Sequence, residues 1–526
     1  MNNSFVTQKF MPMKLFPVRR RPSDRRSRCS LISATAAVIA LVAPPAAHAQ
    51  AQTPALNKSP GLEASPGANG APLSLAQAVS MALRVNPTLV AAQEALVQAQ
   101  GHTAEAGAAF NPTLSSTFTY TRLNQGQSAK FNGQTIVLAN PDQPVLGLQA
   151  TLPIDIVGEL RAAKTQAEFQ QISSRLDINR AQNDLVLSVK SAFYSLLRAE
   201  ATVTVASENV RDNQLQLDDA RKKLRAGTVA QFDVISAETN VANAQQQLIS
   251  ARSSVSLAVA ALNSAIGLNI DTPLQVSADG AVLNPPTAAT VTAPATSTGF
   301  DALDLGSDYR ADLAQALNDR PEILEGDAAL AAARKGILLA ERSQLPSLGL
   351  SITANYNPNA AGFTPITTNG AFVAQLSMPI FEGGFAKARL KEARAGVAVA
   401  ENALRVVTDQ VTLDVRTAWL NVVQAAERVR VADAALKEAR DQYRLARVRY
   451  NAGVAAQAGI SPLLEVSNAQ SALAQAEDNQ VNALYDFNSA RAALDHAAGR
   501  FAYLPAGAGF PAPPPPAAVG AAAPAK

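Results

Sequence analysis

Two hydrophobic periods alternate along this chain, and their order carries most of its information. Between Gly158 and Gly227 the chain has neither glycine nor proline, so nothing there interrupts a helix. Leu185, Val189, Ala192, Leu196, Ala199, Val203, Ala206, Val210, Leu217, Ala220 and Leu224 follow a 4-3 spacing broken only by Asn213. That spacing is a coiled-coil seam. With each number raised by 226, the seam returns as Val411, Val415, Ala418, Val422, Ala425, Val429, Ala432, Leu436, Tyr443, Ala446 and Tyr450, with Ala439 in place of Asn213. The glycines return as Gly384 and Gly453. Each predicted helix is about 100 Å long at 1.5 Å per residue, too long for a compact globular domain.

Ahead of each long helix the period switches from 3.6 to 2. Leu114, Ser116, Phe118 and Tyr120 share one face against Ser115, Thr117, Thr119 and Thr121. After a polar loop of about 20 residues, Leu146, Leu148, Ala150 and Leu152 alternate with Gly147, Gln149 and Thr151, and Pro153 closes the strand. The second copy places Leu348, Leu350, Ile352, Ala354 and Tyr356 on one face, then Phe372, Ala374, Leu376 and Met378, closed by Pro379. Strands are therefore predicted at about 112–121, 145–153, 346–356 and 371–379. Ten-residue strands with one apolar and one polar face match the transmembrane β pattern.

The remaining segments fall into order around these elements. Short helices are predicted from Leu75, with Ser74 as N-cap, and from Pro87 to about Ala109. A return helix runs from Asp233 to about Ile266, and residues 267–306 form a connector with short apolar pieces. Pro87 to Pro112 and Pro321 to Pro346 have equal spacing, so 73–266 and 307–500 are two copies of one unit. The second turn is longer than the first: Glu465-Val466-Ser467-Asn468 aligns with Asp233-Val234-Ile235-Ser236 only with an insertion at about 455–460. Residues 50–72 and 501–526 are rich in Ala, Pro and Gly and read as flexible.

Composition narrows the setting. Residues 1–49 read as a secretory signal, with a basic stretch from Arg19 to Arg28, an apolar run from Leu31 to Val42 and Ala47-His48-Ala49 before Gln50. Without them the chain carries 37 Lys and Arg against 41 Asp and Glu, so nothing suggests nucleic-acid binding. The only cysteine, Cys29, lies inside the signal, which excludes disulfides and thiol chemistry from the expected mature chain. No later apolar run approaches the roughly 18 residues that a membrane-spanning helix needs, so no transmembrane helix is expected. His102 and His496 are too distant to suggest a metal site, and no nucleophile motif, phosphate loop or cofactor signature is present, so an enzyme is not expected.

Four strands cannot close a barrel, and a lipid-facing edge cannot stay unpaired. Several chains must pool strands, and three would give twelve. The predicted fold is mainly α with a β-barrel portion: two tandem repeats of a strand pair plus a long helical hairpin. Three chains would build a 12-stranded outer-membrane barrel continued by a periplasmic α-helical barrel. The strand loops would face outside, and the turns at 227–233 and 453–465 would form the periplasmic tip.

In this order and spacing the chain resembles the TolC family of outer membrane factors over roughly residues 73–500. The motifs are Leu75–Pro87, the strand exits Pro153–Gly158 and Met378–Gly384, and the tip segments Gly227–Glu238 and Tyr450–Gln470. The resemblance implies a homotrimer in outer-membrane lipid, serving a tripartite efflux pump or type I secretion system. It also implies a tip opened by a periplasmic adaptor (membrane fusion) protein coupled to an inner-membrane transporter, with no cofactor. Within the family's tip motif Glu465 matches a gate carboxylate, Asn468 stands where a second one is found, and Asp233 and Tyr450 match closed-state contacts beside Gly227 and Gly453. The family's basic residue after the second glycine is absent, since no Lys or Arg lies between Arg449 and Arg491.

Each tip residue has a plainer reading as well. Asp233 fits a helix N-cap, Glu465 suits a helix dipole, and Tyr450 continues the seam. Trp419, far along its helix, reads as core. The candidate lipid-facing residues are Leu114, Phe118, Tyr120, Leu148, Leu350, Ile352, Phe372 and Leu376. A non-channel periplasmic coiled-coil spacer or adaptor is the rival reading, and it has no use for four alternating strands.

Overall fold

The computed structural model describes residues 72–131, 133–277, 309–452 and 462–500, all within one compact unit, Pro66–Lys526. The predicted signal, flexible lead-in, most of the connector, Gly453, the insertion near 455–460 and the C-terminal tail lie outside the described residues.

The period-2 segments form six strands: β1 (Thr113–Arg122), β2 (Gln127–Phe131), β3 (Gln134–Ala139), β4 (Asp142–Ile154), β5 (Ser347–Tyr356) and β6 (Thr368–Ser377). Four of them make one antiparallel sheet in the order β1-β4-β5-β6. Its register keeps the two faces chemically distinct. Phe118 lies opposite Leu146, Ala150 opposite Ile352, and Ile352 opposite Phe372. Even-numbered residues therefore share an apolar face, and Thr117, Gln149, Thr353 and Gln375 share the polar one. β4 continues one residue past Pro153, its predicted end, to Ile154. Both of its prolines are tolerated because each lies where β4 has a partner on one side only: Pro144 opposite Tyr120 of β1, and Pro153 opposite Gly349 of β5.

The predicted polar loop between the first two strands differs from expectation. It contains a second sheet, the β2–β3 hairpin, with Phe131 opposite Gln134. The segment Asn132-Gly133 is a strong hairpin signal in the sequence, and Gly133 has the positive φ of +82° that such a turn needs.

Eight helices complete the described chain: α1 (Leu75–Val85), α2 (Pro87–Ala108), α3 (Glu159–Arg225), α4 (Gln231–Ile266), α5 (Tyr309–Asp319), α6 (Pro321–Arg342), α7 (Phe385–Ala452) and α8 (Pro462–Ala497). α3 and α7 span 67 and 68 residues. No single return helix matches that length, so each half stacks two. The C-terminus of α4 abuts the N-terminus of α2: Asn86 caps α2 through the Thr88 amide at 2.9 Å, and its Nδ2 donates to the Ala265 carbonyl at 2.8 Å. Gly267, at φ +93°, has no room for a side chain there, because a Cβ would sit 3.0 Å from the Asn86 Cα. The second half repeats the joint with Gly499 (φ +71°) against Arg320. Arg320 is buried and held by Glu322 at 2.8 Å and Asp414 at 3.2 Å.

Burial follows the seam. Val189, Leu196, Val415 and Val429 are fully buried or nearly so, in two apolar clusters at these joints. Trp419 packs edge-on against Tyr309, with ring centroids 6.0 Å apart. A third cluster lies at the far turn, around Leu217, Tyr450 and Leu463. α4 departs from the expectation that no helix would suit a membrane: by length and composition it is apolar enough to cross one, with a mean hydropathy of 1.2. It runs along α3 instead, and carries Asp233, Glu238 and Arg252. Part of that apolar surface is uncovered in the single chain, with Leu257 70% and Ile249 62% exposed.

Candidate functional site

The far ends of α3, α4, α7 and α8 meet at the third apolar cluster, where the two hairpins of the chain touch. α3 ends in a tight turn. The Thr228 and Gly227 amides donate to the Lys223 and Leu224 carbonyls at 3.0 and 2.9 Å, and Gly227 takes φ +75°. This is the Schellman pattern that a glycine after a helix permits. Three basic residues, Lys222, Lys223 and Arg225, occupy that last turn, where the carbonyl end of the helix favours cations.

Lys223 does more than face the dipole. Its ammonium lies 3.2 Å from the centroid of the Tyr450 ring and donates to the Tyr450 carbonyl at 3.1 Å. One side chain thus ties the end of the first hairpin to the end of α7 by a cation–π contact and a carbonyl cap. Tyr450 is buried, and its hydroxyl has no hydrogen-bond partner among the described residues. Burial, with the nearby Asp219 and Asp233 charges, pushes its phenol above the ordinary range. Burial also pulls the Lys223 ammonium below its ordinary value, against the Asp219 carboxylate.

Asp233 is not the N-cap expected from the sequence: α4 begins at Gln231 with Ala230 as N-cap, and Asp233, buried at the third helical position, reaches back to accept the Ala230 amide at 3.3 Å. It also lies near enough to Tyr450 to act on it electrostatically. Glu465 is half-buried on α8 and takes a hydrogen bond from Arg449 at 2.6 Å. That contact offsets the negative charge predicted for a gate ring. Asn468 is exposed one turn on, and Gly453 lies outside the described residues. The turns are braced between hairpins by Gln216 to the Leu463 carbonyl at 3.5 Å and Asn240 to Ser467 at 2.7 Å. Within the first hairpin, Arg221 pairs with Glu238 at 2.7 Å.

Lys223 and Arg449 went unremarked in the sequence, which showed no basic residue after the second glycine. Both were findable through the repeat, since each occupies the other's position in the opposite copy.

At the other end, the even-numbered sheet face is open. Leu114 is 73% exposed, Phe118 69% and Phe372 67%; Tyr120, Leu148, Ile352 and Leu376 are exposed too, whereas Leu350 is partly buried beside Leu152 and Ala374. No described helix packs substantially on either face. The Tyr120 hydroxyl donates to Asp142 at 2.7 Å near the strand end, which suits an interfacial aromatic.

Comparison with known proteins agrees with this geometry. Residues 78–268 and 313–500 match the family described as "Outer membrane efflux protein". The pyoverdine export outer membrane protein OpmQ of Pseudomonas putida is 26% identical over 355 residues, covering 67% of this chain and 69% of that protein. The fusaric acid resistance protein FusA of Burkholderia cepacia is 30% identical over 268 residues, 49% of this chain and 47% of that protein, so only about half of that relative is spanned. In fold, the chain is similar to the outer membrane protein VceC of Vibrio cholerae, with a TM-score of 0.63 at 22% identity over 81% of this chain and 96% of that one. The chain belongs to the outer membrane efflux protein family and is an outer-membrane protein with a long periplasmic portion.

Proposed function

We propose that three copies of this chain form a passive exit duct: a twelve-stranded barrel in the outer membrane continued by a helical tunnel that is closed at its periplasmic tip. One observation carries the reading. The four-stranded sheet leaves β1 and β6 as unpaired edges and one apolar face uncovered, and lipid tolerates neither an edge nor irregular backbone. All neighbours in the sheet are antiparallel, so β6 of one copy meets β1 of the next antiparallel and the ring closes with alternating strands. Twelve strands fall between the eight that side chains fill and the sixteen that leave a wide channel.

The chain supplies no energy, so the duct works with a periplasmic adaptor and an inner-membrane transporter, as part of a tripartite efflux pump or type I secretion system. The relatives named for pyoverdine export and fusaric acid resistance favour small molecules as cargo over proteins. At the tip, Lys223 on Tyr450 and Arg449 on Glu465 hold the closed arrangement, with Asp233 and Gly227 shaping the first turn and Asn468 beside the constriction. The test is planar-bilayer conductance of the purified protein. Wild type is expected to conduct, and Glu465→Gln, which takes the carboxylate from Arg449, to shift its selectivity away from cations and toward anions. Unchanged selectivity removes Glu465 from the constriction, and absence of any conductance, including after disruption of the tip, refutes the duct.

A further inference from the structure

We propose that the joint between the two hairpins of this chain carries a built-in opening bias: four carboxylates of α3 and α8 push its tip half apart, while ion pairs nearer the strands hold the other half together. This deepens the gated-tip reading and rests on it.

α3 and α8 run antiparallel, as the contacts of Asp184 with His496 and of Gln216 with the Leu463 carbonyl require. Toward the strands the charged contacts across this joint are attractive. His496 bonds Asp184 at 2.8 Å, Lys190 lies 3.9 Å from Asp495, and Arg198 lies 3.3 Å from Asp486. Asp486 also takes Arg428 of α7 at 3.9 Å, so one carboxylate ties three helices.

Ten residues beyond Arg198, about 15 Å along α3, the sign changes. Glu208 and Asp212 of α3 face Glu477 of α8, and Asp478 follows it on α8; all three act electrostatically on the Glu477 carboxyl. α7 brings Arg440 to Glu477 at 3.8 Å. Asp212 has Arg211 beside it at 3.8 Å and Tyr443 of α7 nearby. Asp478 keeps one carboxylate oxygen buried with no hydrogen-bond partner among the described residues. These four negative groups meet two guanidinium groups, both largely exposed, and exposed pairs of this kind add little. Burial pushes the Glu477 carboxyl above its ordinary value; Arg440 opposes the shift, and Glu208, Asp212 and Asp478 reinforce it. Burial pushes Asp478 the same way.

From the cluster to the tip the joint is loosely bonded. Gln470 donates to Asn209 at 3.4 Å and Gln216 to the Leu463 carbonyl at 3.5 Å, long for hydrogen bonds. The side-chain oxygens of both glutamines are buried without a partner among the described residues, and parting the helices would return them to water. Asn240 on Ser467 at 2.7 Å and Lys223 on Tyr450 then act as a latch against the bias.

A carboxyl whose pKa is raised in the closed joint weakens that joint while ionised, and stops doing so as pH falls through the raised value. Acid therefore closes the joint. The test is the resting open probability of the full-length protein in planar bilayers at about pH 7.5 and at about pH 4.5, the ordinary glutamate value, which lies below the raised one. Wild type is expected to open about fivefold less often in acid, the scale of a few like-charge pairs. Glu208→Gln with Asp478→Asn keeps the shape of both side chains. This variant should open as rarely near neutrality as wild type does in acid, with most of the pH response lost. Titration of carboxylates lining the lumen changes the size of each opening rather than its frequency, so the two are scored apart. A double variant that keeps the wild-type frequency and pH response overturns the bias and leaves the duct standing. Absence of conductance at either pH, even with Tyr450→Leu, refutes the duct and the bias with it.

Discussion

Replacing Phe118 with arginine should expel the barrel from lipid, whereas the same change at Thr117 should be tolerated. Phe118 is near the middle of the ten-residue β1, on the apolar face opposite Leu146. In the proposed barrel, at a tilt near 45°, such a strand spans about 23 Å, close to the height of a lipid-facing apolar band, which would put Phe118 near the bilayer midplane. An arginine at that depth costs about 2–4 kcal/mol, and losing the phenylalanine removes about 2 kcal/mol of apolar burial. The total of about 5 kcal/mol per chain is more than a thousandfold in the folding equilibrium, at about 1.4 kcal/mol per factor of ten. Thr117, one residue away, points to the polar face opposite Gly147, where an arginine should cost under about 1 kcal/mol. The assay is denaturant-titrated folding into lipid vesicles, read by protease protection of the barrel. Equal losses at the two positions, or tolerance of Phe118→Arg, would refute the assignment of the faces.

Two further outcomes follow from the tip and from the joint between α3 and α8. Lys223→Met and Tyr450→Leu should each raise the resting conductance, and a double-mutant cycle should show coupling of about 0.5–2 kcal/mol, the range for a cation–π contact; additive effects would mean the contact does not hold the tip. His496 tethers α8 to Asp184 of α3 at 2.8 Å, and that hydrogen bond holds the Asp184 carboxyl below its ordinary value near 3.8. A depressed carboxylate adds stability above its unfolded pKa and loses it as pH falls through the folded one. His496→Ala should therefore move acid unfolding to higher pH, and an unchanged midpoint in a circular-dichroism titration would count against the tether.

The architecture was legible because it is written in periods. The coiled-coil seam, the alternating strands and the duplication all survive in single residues such as Val189 and Val415 or Leu148 and Ala374. What the periods could not show was which surfaces meet. Lys223 reaches Tyr450 across 227 positions of chain, and no spacing rule connects two residues on different hairpins. The stacking of α4 on α2 was hidden for the same reason, since Asn86 reads locally as an N-cap and its second bond goes to Ala265. The β2–β3 hairpin was a different kind of omission. Its strands of five and six residues are too short for alternation to stand out, yet the Asn132-Gly133 turn marked it.

The stoichiometry of the protein extracted from outer membranes tests the proposed assembly most directly. Light scattering corrected for bound detergent should give a protein mass of three chains. A mass of one chain, or recovery of the mature protein in the soluble periplasm, would contradict it.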